Sequence, residues 1–191
     1  MSDKATSGAA ERLLDTASRL FYTRGVSNVG INEIIARAGV ARMTLYHHYP
    51  SKDALIKAVL ERRREEREAW LARADELATD PIERLLAVFD LFLEWARTPD
   101  FRGCPLVAAT FELGGQLNAA RPYAQAHHEL TKRYLERQAR EAGLVEPEEL
   151  ATQLHMLLEG TAVLTLISGN SEAAALAKGA AASLIVGARD D

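Results

Sequence analysis

Six side chains able to meet a nucleic acid fall within seven consecutive residues: Arg42, Met43, Thr44, Tyr46, His47 and His48. An arginine can place two donors on the O6 and N7 acceptors of guanine. A methionine can rest on a thymine methyl, and hydroxyls and imidazoles reach phosphates or base edges. Arg42, Met43, Thr44 and His47 are therefore the candidates for contact in the major groove. The plain alternatives are a solvated arginine at position 42 and a half-buried core tyrosine at position 46.

Such a set needs a rigid mount, and the flanking sequence supplies one. Ile31, Ile34 and Ile35 pattern a short helix over about 31–38, and Gly39 follows where a tight turn needs positive φ. Val40 anchors that turn. A second short helix, about 42–48, ends before Pro50, with Leu45 and Tyr49 four apart on its inner face. Two short helices around a glycine turn have helix-turn-helix proportions. Leu13, Leu14, Ala17, Leu20 and Phe21 stripe a preceding helix that stops at Gly25. Ser51 can cap a long fourth helix, about 52–78, whose run Glu61–Glu68 reads as a solvated, mixed-sign face.

The remainder is also helical in pattern, without β-branched alternation. Asp80-Pro81-Ile82-Glu83 combines a capping acid, proline at the first helical position and glutamate at the third. Further boundaries are expected at Thr98-Pro99, at Gly114-Gly115, at Pro122 and Pro147 as helix openings, at Gly169, and at Ser171 as a cap. The expected fold is all-α with nine helices and no strand. Residues 1–51 form a three-helix head, and 52–191 form a helical bundle reached through the fourth helix.

Charge supports a nucleic-acid head. Residues 1–60 carry +3 and the rest −7, within a net charge of −4. A basic end on an acidic body suits phosphate contact, although +3 over sixty residues is a modest excess. No uninterrupted apolar run reaches the roughly 20 residues of a membrane span: Met156–Ile167 is broken by Glu159, Gly160, Thr161 and Thr165. The first residues, MSDKATSGAAER, lack an apolar signal core. The expected location is cytoplasmic.

Residues 20–55 closely resemble the N-terminal motif of the TetR family of one-component repressors. Phe21 and Gly25, then Ile34, Ala38, Gly39 and Val40, then Thr44, Leu45, Tyr46, His48 and Tyr49, then Lys52 and Leu55, fall in register without gaps. The resemblance covers about the first quarter of the chain. It implies a TetR-like fold and a homodimer, with the C-terminal helices binding ligand and forming the dimer. It also implies that Tyr46, His48 and Lys52 hold the DNA backbone; Gly30, whose backbone can approach a phosphate, and Asn32 are further DNA-binding candidates at the start of the second helix. The chain departs from the pattern at Gly30 and Ala41, where hydroxyl caps are usual, and at Ile35 and Met43. Losing the cap at position 41 should cost about 1 kcal/mol locally.

Little points to catalysis. Neither a P-loop nor a Gly-x-Gly-x-x-Gly stretch is present. The doublets His47-His48 and His127-His128 are badly spaced for one ion, because adjacent helical residues point about 100° apart. His127, Glu129 and His155 could converge in the fold, but nothing in their spacing requires it. No cofactor and no metal are expected. The single cysteine, Cys104, excludes an internal disulfide. It reads as a small buried residue, with a redox-sensing thiol as the alternative.

The middle helices offer Phe92, Trp95, Cys104, Phe111, Tyr123, His127 and Met156 as candidate lining for a small apolar or aromatic effector. Aromatic residues at helical spacing also serve as plain core. Leu154, Leu157, Leu158, Ala162, Ala181 and Leu184 are the candidate dimer contacts, in a four-helix arrangement about a twofold axis. The expected function is a ligand-responsive repressor that binds palindromic operator DNA as a homodimer and is not an enzyme. The alternatives are a constitutive DNA-binding regulator without a ligand, and a helical enzyme or scaffold.

Overall fold

The computed structural model describes residues 2–114 and 117–189. Among them are nine helices and no strand: α1 (Ser2–Arg24), α2 (Ile31–Ala38), α3 (Arg42–His48), α4 (Lys52–Leu77), α5 (Pro81–Ala96), α6 (Pro105–Glu112), α7 (Leu117–Glu141), α8 (Pro147–Ser168) and α9 (Glu172–Gly187). The expected all-α class and helix count agree with this. Gly114 is described, whereas Gly115, its partner in the expected break, lies outside the described residues.

The helices form two compact units. The first comprises residues 1–64 and 105–124, the second 65–104 and 125–191. Helix α6 and the first turns of α7 thus join the head, although they lie far from it in sequence. Helix α4 contributes to both units along its length.

In the first unit, Leu13, Ala17, Leu20 and Phe21 of α1 are buried with Ile34 and Ala38 of α2, Leu45 of α3 and Leu55, Ile56, Val59 and Leu60 of α4. Burying one such leucine contributes about 1.5–3 kcal/mol. The charged run Glu61–Glu68, midway along α4, does more than face solvent. Arg62 pairs with Glu11 at 2.7 Å and Asp15 at 2.6 Å on α1, and Arg63 lies over the Tyr22 ring. These links fasten α4 to α1 and correct the reading of that run as simply solvated.

The second unit packs α8 on α9 and both against α5. Its core includes Leu85, Val88, Phe89, Leu91 and Phe92 of α5, Leu135 and Ala139 of α7, Leu150, Leu154 and Leu158 of α8, and Ala177, Ala181 and Ile185 of α9. Among the described residues, α8 is the one helix long and apolar enough to cross a membrane by length and composition. One face of it is spent on this core instead: Leu150, Ala151, Leu154, Leu158 and Ala162 are buried there.

Local signals set most boundaries. Asp80 accepts from the N–H groups of Ile82 (2.9 Å) and Glu83 (3.1 Å), as its sequence context predicts. Ser51 Oγ accepts from Ala54 N at 3.1 Å. Two expectations need correction. Helix α7 starts at Leu117 and carries Pro122 inside it. Proline removes one N–H donor, and so near a helix start the loss is a single bond. Ser171 makes no side-chain cap on α9; Asn170 Oδ1 accepts from Glu172 N at 3.0 Å instead.

Candidate functional site

The helix-turn-helix is built as the spacing requires. Helix α2 ends at Gly39, whose φ of 62° and ψ of 42° are left-handed, and Val40 N closes the turn on Ile35 O at 3.3 Å. Arg12 of α1 adds a bond that the local pattern does not reveal, from Nε to Ala38 O at 3.3 Å. Neither Gly30 nor Ala41 makes a side-chain cap. Helix α3 begins on backbone bonds, with Thr44 N donating to Ala41 O at 3.0 Å. Leu45, fully buried, pins α3 to the core. Tyr49 reaches α1, its hydroxyl 3.5 Å from Ala10 O.

Pinning Leu45 inward turns its neighbours outward. Arg42, Met43, Tyr46 and His47 are exposed, Met43 at 78%. Arg42 stacks its guanidinium over Tyr46, 5.8 Å from the ring centroid. Thr44 and His48 are half-buried. The His48 ring lies edge-on to His47 at 5.1 Å, and its Nε2 has no hydrogen-bond partner among the described residues. Gly30 and Asn32 are exposed at the start of α2. Lys52, at the start of α4, donates from Nζ to Val26 O at 2.8 Å. An ammonium has three donors, so two remain. Arg24 and Arg37 both pair with Glu33, which ties part of the basic excess into the head itself.

The candidate pocket residues part company in the structure. Phe92, Trp95 and Cys104 line one site at the centre of the second unit, together with Arg67, Thr131, His155, Leu158, Glu159 and Ala162. His127 joins them, its Nε2 3.7 Å from Cys104 Sγ. Phe111 is 82% exposed and Met156 63% exposed, so neither lines this centre. Phe111 and Tyr123 belong to the first unit. The free volume at the centre is only about 10 Å³. A larger groove of about 570 Å³ runs past Arg97, Phe101, Arg102, Thr165, Gly169 and Asn170.

Sequence reasoning missed Arg67 and Glu159. The available signal was the i,i+4 pair His155–Glu159 on α8, where Nε2 and Oε1 stand 3.6 Å apart. Arg67 keeps some solvent contact, yet crowding lowers its guanidinium pKa, against the opposing pull of Cys104 and Glu159. Burial, then the Arg67 charge, push His127 down to about 3, so its imidazole is neutral at pH 7. Burial raises Glu159, but the close polar contact with His155 and the charge of Arg67 outweigh it and hold the carboxyl below its ordinary range.

The interface candidates also divide. Leu154, Leu158, Ala162 and Ala181 are buried in the chain's own core, which corrects their availability to a partner. Leu157 and Leu184 are partly buried against that core. The large apolar side chains left open on α8 and α9 are Met156, Val163, Leu164, Leu166, Ile167, Leu176 and Val186. Periodicity marks both faces of an apolar helix as hydrophobic; only the packing tells which face is already covered.

Comparison with known proteins agrees with this architecture. Residues 13–59 match bacterial regulatory proteins of the tetR family, and 81–181 match the tetracyclin repressor-like C-terminal domain. The chain is 33% identical over 170 residues to the HTH-type transcriptional regulator LmrA of Bacillus subtilis (strain 168), covering 84% of this chain and 88% of that protein. It superposes on SCO4454, a TetR-family transcriptional regulator from Streptomyces coelicolor, with a TM-score of 0.90 and 26% identity over 96% and 97% of the two chains. The reduced form of E. coli NemR gives 0.81 and 26% identity over 93% and 97%. The glycine turn, the pinned Leu45 and matches in both halves of the sequence lead to one assignment: the chain belongs to the TetR family of DNA-binding helix-turn-helix transcriptional regulators.

Proposed function

We propose that this regulator is a homodimeric repressor that holds palindromic operator DNA through α3 and releases it when a small effector binds. In this reading residues 1–51 are the DNA-binding domain, and 52–191 bind effector and form the dimer. The protein works in the cytoplasm and catalyses no reaction. The observation that carries the DNA part is the exposure of Arg42, Met43, Tyr46 and His47 around the buried Leu45. A helix anchored by one inward leucine offers its remaining faces to a groove. Arg42, Met43, Thr44 and His47 take the bases; Tyr46, His48, Lys52, Gly30 and Asn32 take the backbone. Dimerisation uses the open apolar residues of α8 and α9, with Leu157 and Leu184 at their margin. Two heads would then meet half-sites about 34–36 Å apart. Helix α4 supplies a covalent route for regulation, since it runs without a break from Lys52 through Arg67 to Leu77.

Selection from a random duplex pool, followed by titrations at several salt concentrations, tests this reading. The expected result is a palindromic consensus and an affinity that falls steeply with salt. Failure to retain any duplex at low salt would overturn it. A second reading, regulation without an organic effector, is favoured by the filled centre of the second unit. A thermal-shift screen separates the two, because an organic effector of the folded state must raise the melting temperature.

A further inference from the structure

Three metal-ligating groups from three elements converge in the second unit. Cys104 precedes α6, His127 lies on α7 and Glu159 on α8, and one ligand atom from each lies within 4.8 Å of the others. Tetrahedral zinc, with Zn–S near 2.3 Å and Zn–N near 2.0–2.1 Å, sets sulfur and nitrogen roughly 3.6 Å apart. Cys104 Sγ and His127 Nε2 already stand at 3.7 Å. Glu159 Oε1 stands 3.6 Å from His155 Nε2, and the His155 ring lies 4.2 Å from the His128 ring. Carboxylates that ligate a metal are themselves usually hydrogen-bonded by an outer group, and His155 stands where it can serve as one.

The burial and size of the site suit an ion. His127 is 5% exposed, so its Nε2 meets Cys104 Sγ away from bulk water. The free volume, about 10 Å³, is far too small for an organic effector. We propose that Cys104, His127 and Glu159 bind a thiophilic divalent transition ion of the zinc class, with His155 positioning Glu159 and a fourth coordination place open to water. One sulfur, one nitrogen and one oxygen donor disfavour calcium and magnesium, which take oxygen ligands. On binding, the Cys104 S–H bond breaks, an S–metal bond forms and one proton leaves to solvent. Arg67 lines the same centre and offers Glu159 a counter-charge when no ion is bound. The proposal deepens the regulatory reading by naming a class of effector, and rests on that reading only for its effect on DNA.

The test uses the full-length, reduced, metal-stripped protein titrated with Co²⁺. The expected result is one ion per chain, with a thiolate-to-cobalt charge-transfer band and the strong visible bands of tetrahedral coordination, both abolished by Zn²⁺. Cys104→Ser should remove the charge-transfer band, and His127→Gln and Glu159→Gln should each weaken Co²⁺ by more than tenfold. His155→Ala, an outer-support change, should weaken it about tenfold. Circular dichroism checks the fold of each variant. If Cys104→Ser does not fold, protection of the wild-type thiol from alkylation by Zn²⁺ replaces it. No charge-transfer band in the wild type, or unchanged affinity in both ligand variants, overturns the site. Duplex titration with and without Zn²⁺ reads the regulation. A cobalt band with unaltered duplex affinity overturns the effector role, whereas a cobalt band in a protein that binds no duplex counts against the DNA reading alone.

Discussion

Ser27 and Glu112, 85 residues apart in sequence, are joined in the first unit: the Ser27 N–H donates to Glu112 Oε2 at 3.2 Å. The same carboxylate closes over Gly25, where an added methyl group would meet Oε2 at 2.7 Å and Oε1 at 2.8 Å. Gly25 ends α1 with φ at 86°, a conformation that itself costs a non-glycine residue about 1–2 kcal/mol. Gly25→Ala should therefore destabilise the protein through both backbone strain and contact with Glu112. Glu112→Ala should relieve only the second. Denaturant unfolding of the two single variants and the double variant measures this. Strictly additive effects would show that the carboxylate swings clear at no cost.

Arg42 and Lys52 should separate base reading from backbone holding. Arg42 is exposed on α3 and stacked on Tyr46. Its replacement by alanine should lower discrimination between selected and random duplexes by about 1–3 kcal/mol, if it grips one guanine with two donors. Lys52→Ala should weaken both duplexes alike and flatten the salt dependence by about one charge. It should also lower the melting temperature slightly, because the bond to Val26 O is lost. Equal losses on both duplexes for Arg42→Ala would move that residue to the backbone set.

What the sequence made legible was local. The turn at Gly39, the caps at Ser51 and Asp80, the inward Leu45 and the bounds of α2 and α3 all depend on residues within a few positions of each other. Most misreadings concerned distance. Arg62 finds Glu11 and Asp15 across the unit, and Cys104, His127 and Glu159 meet from three separate elements. No spacing rule encodes such meetings, because the fold has to be known before they can be found. The interface residues illustrate a different limit. Leu154 and Ile167 look equally apolar in sequence, but one is fully buried in the chain's own core and the other is 76% exposed.

That contrast yields a test of the proposed dimer. Ile167→Glu places a charge on an open surface of the single chain, so it should leave the helical content intact while shifting light scattering from dimer to monomer. Leu154→Glu places a charge in the packed core without a partner and should unfold the second unit, since an unpaired buried charge costs several kcal/mol. A wild-type chain that scatters as a monomer at micromolar concentration would remove the assignment. So would an Ile167→Glu variant that remains as tightly dimeric as the wild type.

Tyr134 on α7 should make the second unit sensitive to alkali. Its hydroxyl donates to Asp75 Oδ1 on α4 at 2.8 Å, and Asp75 is also approached by Arg84 (3.7 Å) and Arg137 (3.6 Å). Burial first, then the hydrogen bond and the negative charge of Asp75, raise the phenol above its ordinary value of 10.0. The folded state therefore holds this proton more tightly than the unfolded chain does. The associated stability is fully present below pH 10 and is lost progressively as pH rises from there towards the raised folded value. Tyr134→Phe removes the ionisable group and the bond together. It should cost about 1–2 kcal/mol at neutral pH. Between pH 9 and 11 its stability should fall less steeply than that of the wild type. Urea unfolding at several pH values reads both effects. Parallel stability curves for the two proteins across that range would show that Tyr134 has the same proton affinity folded and unfolded.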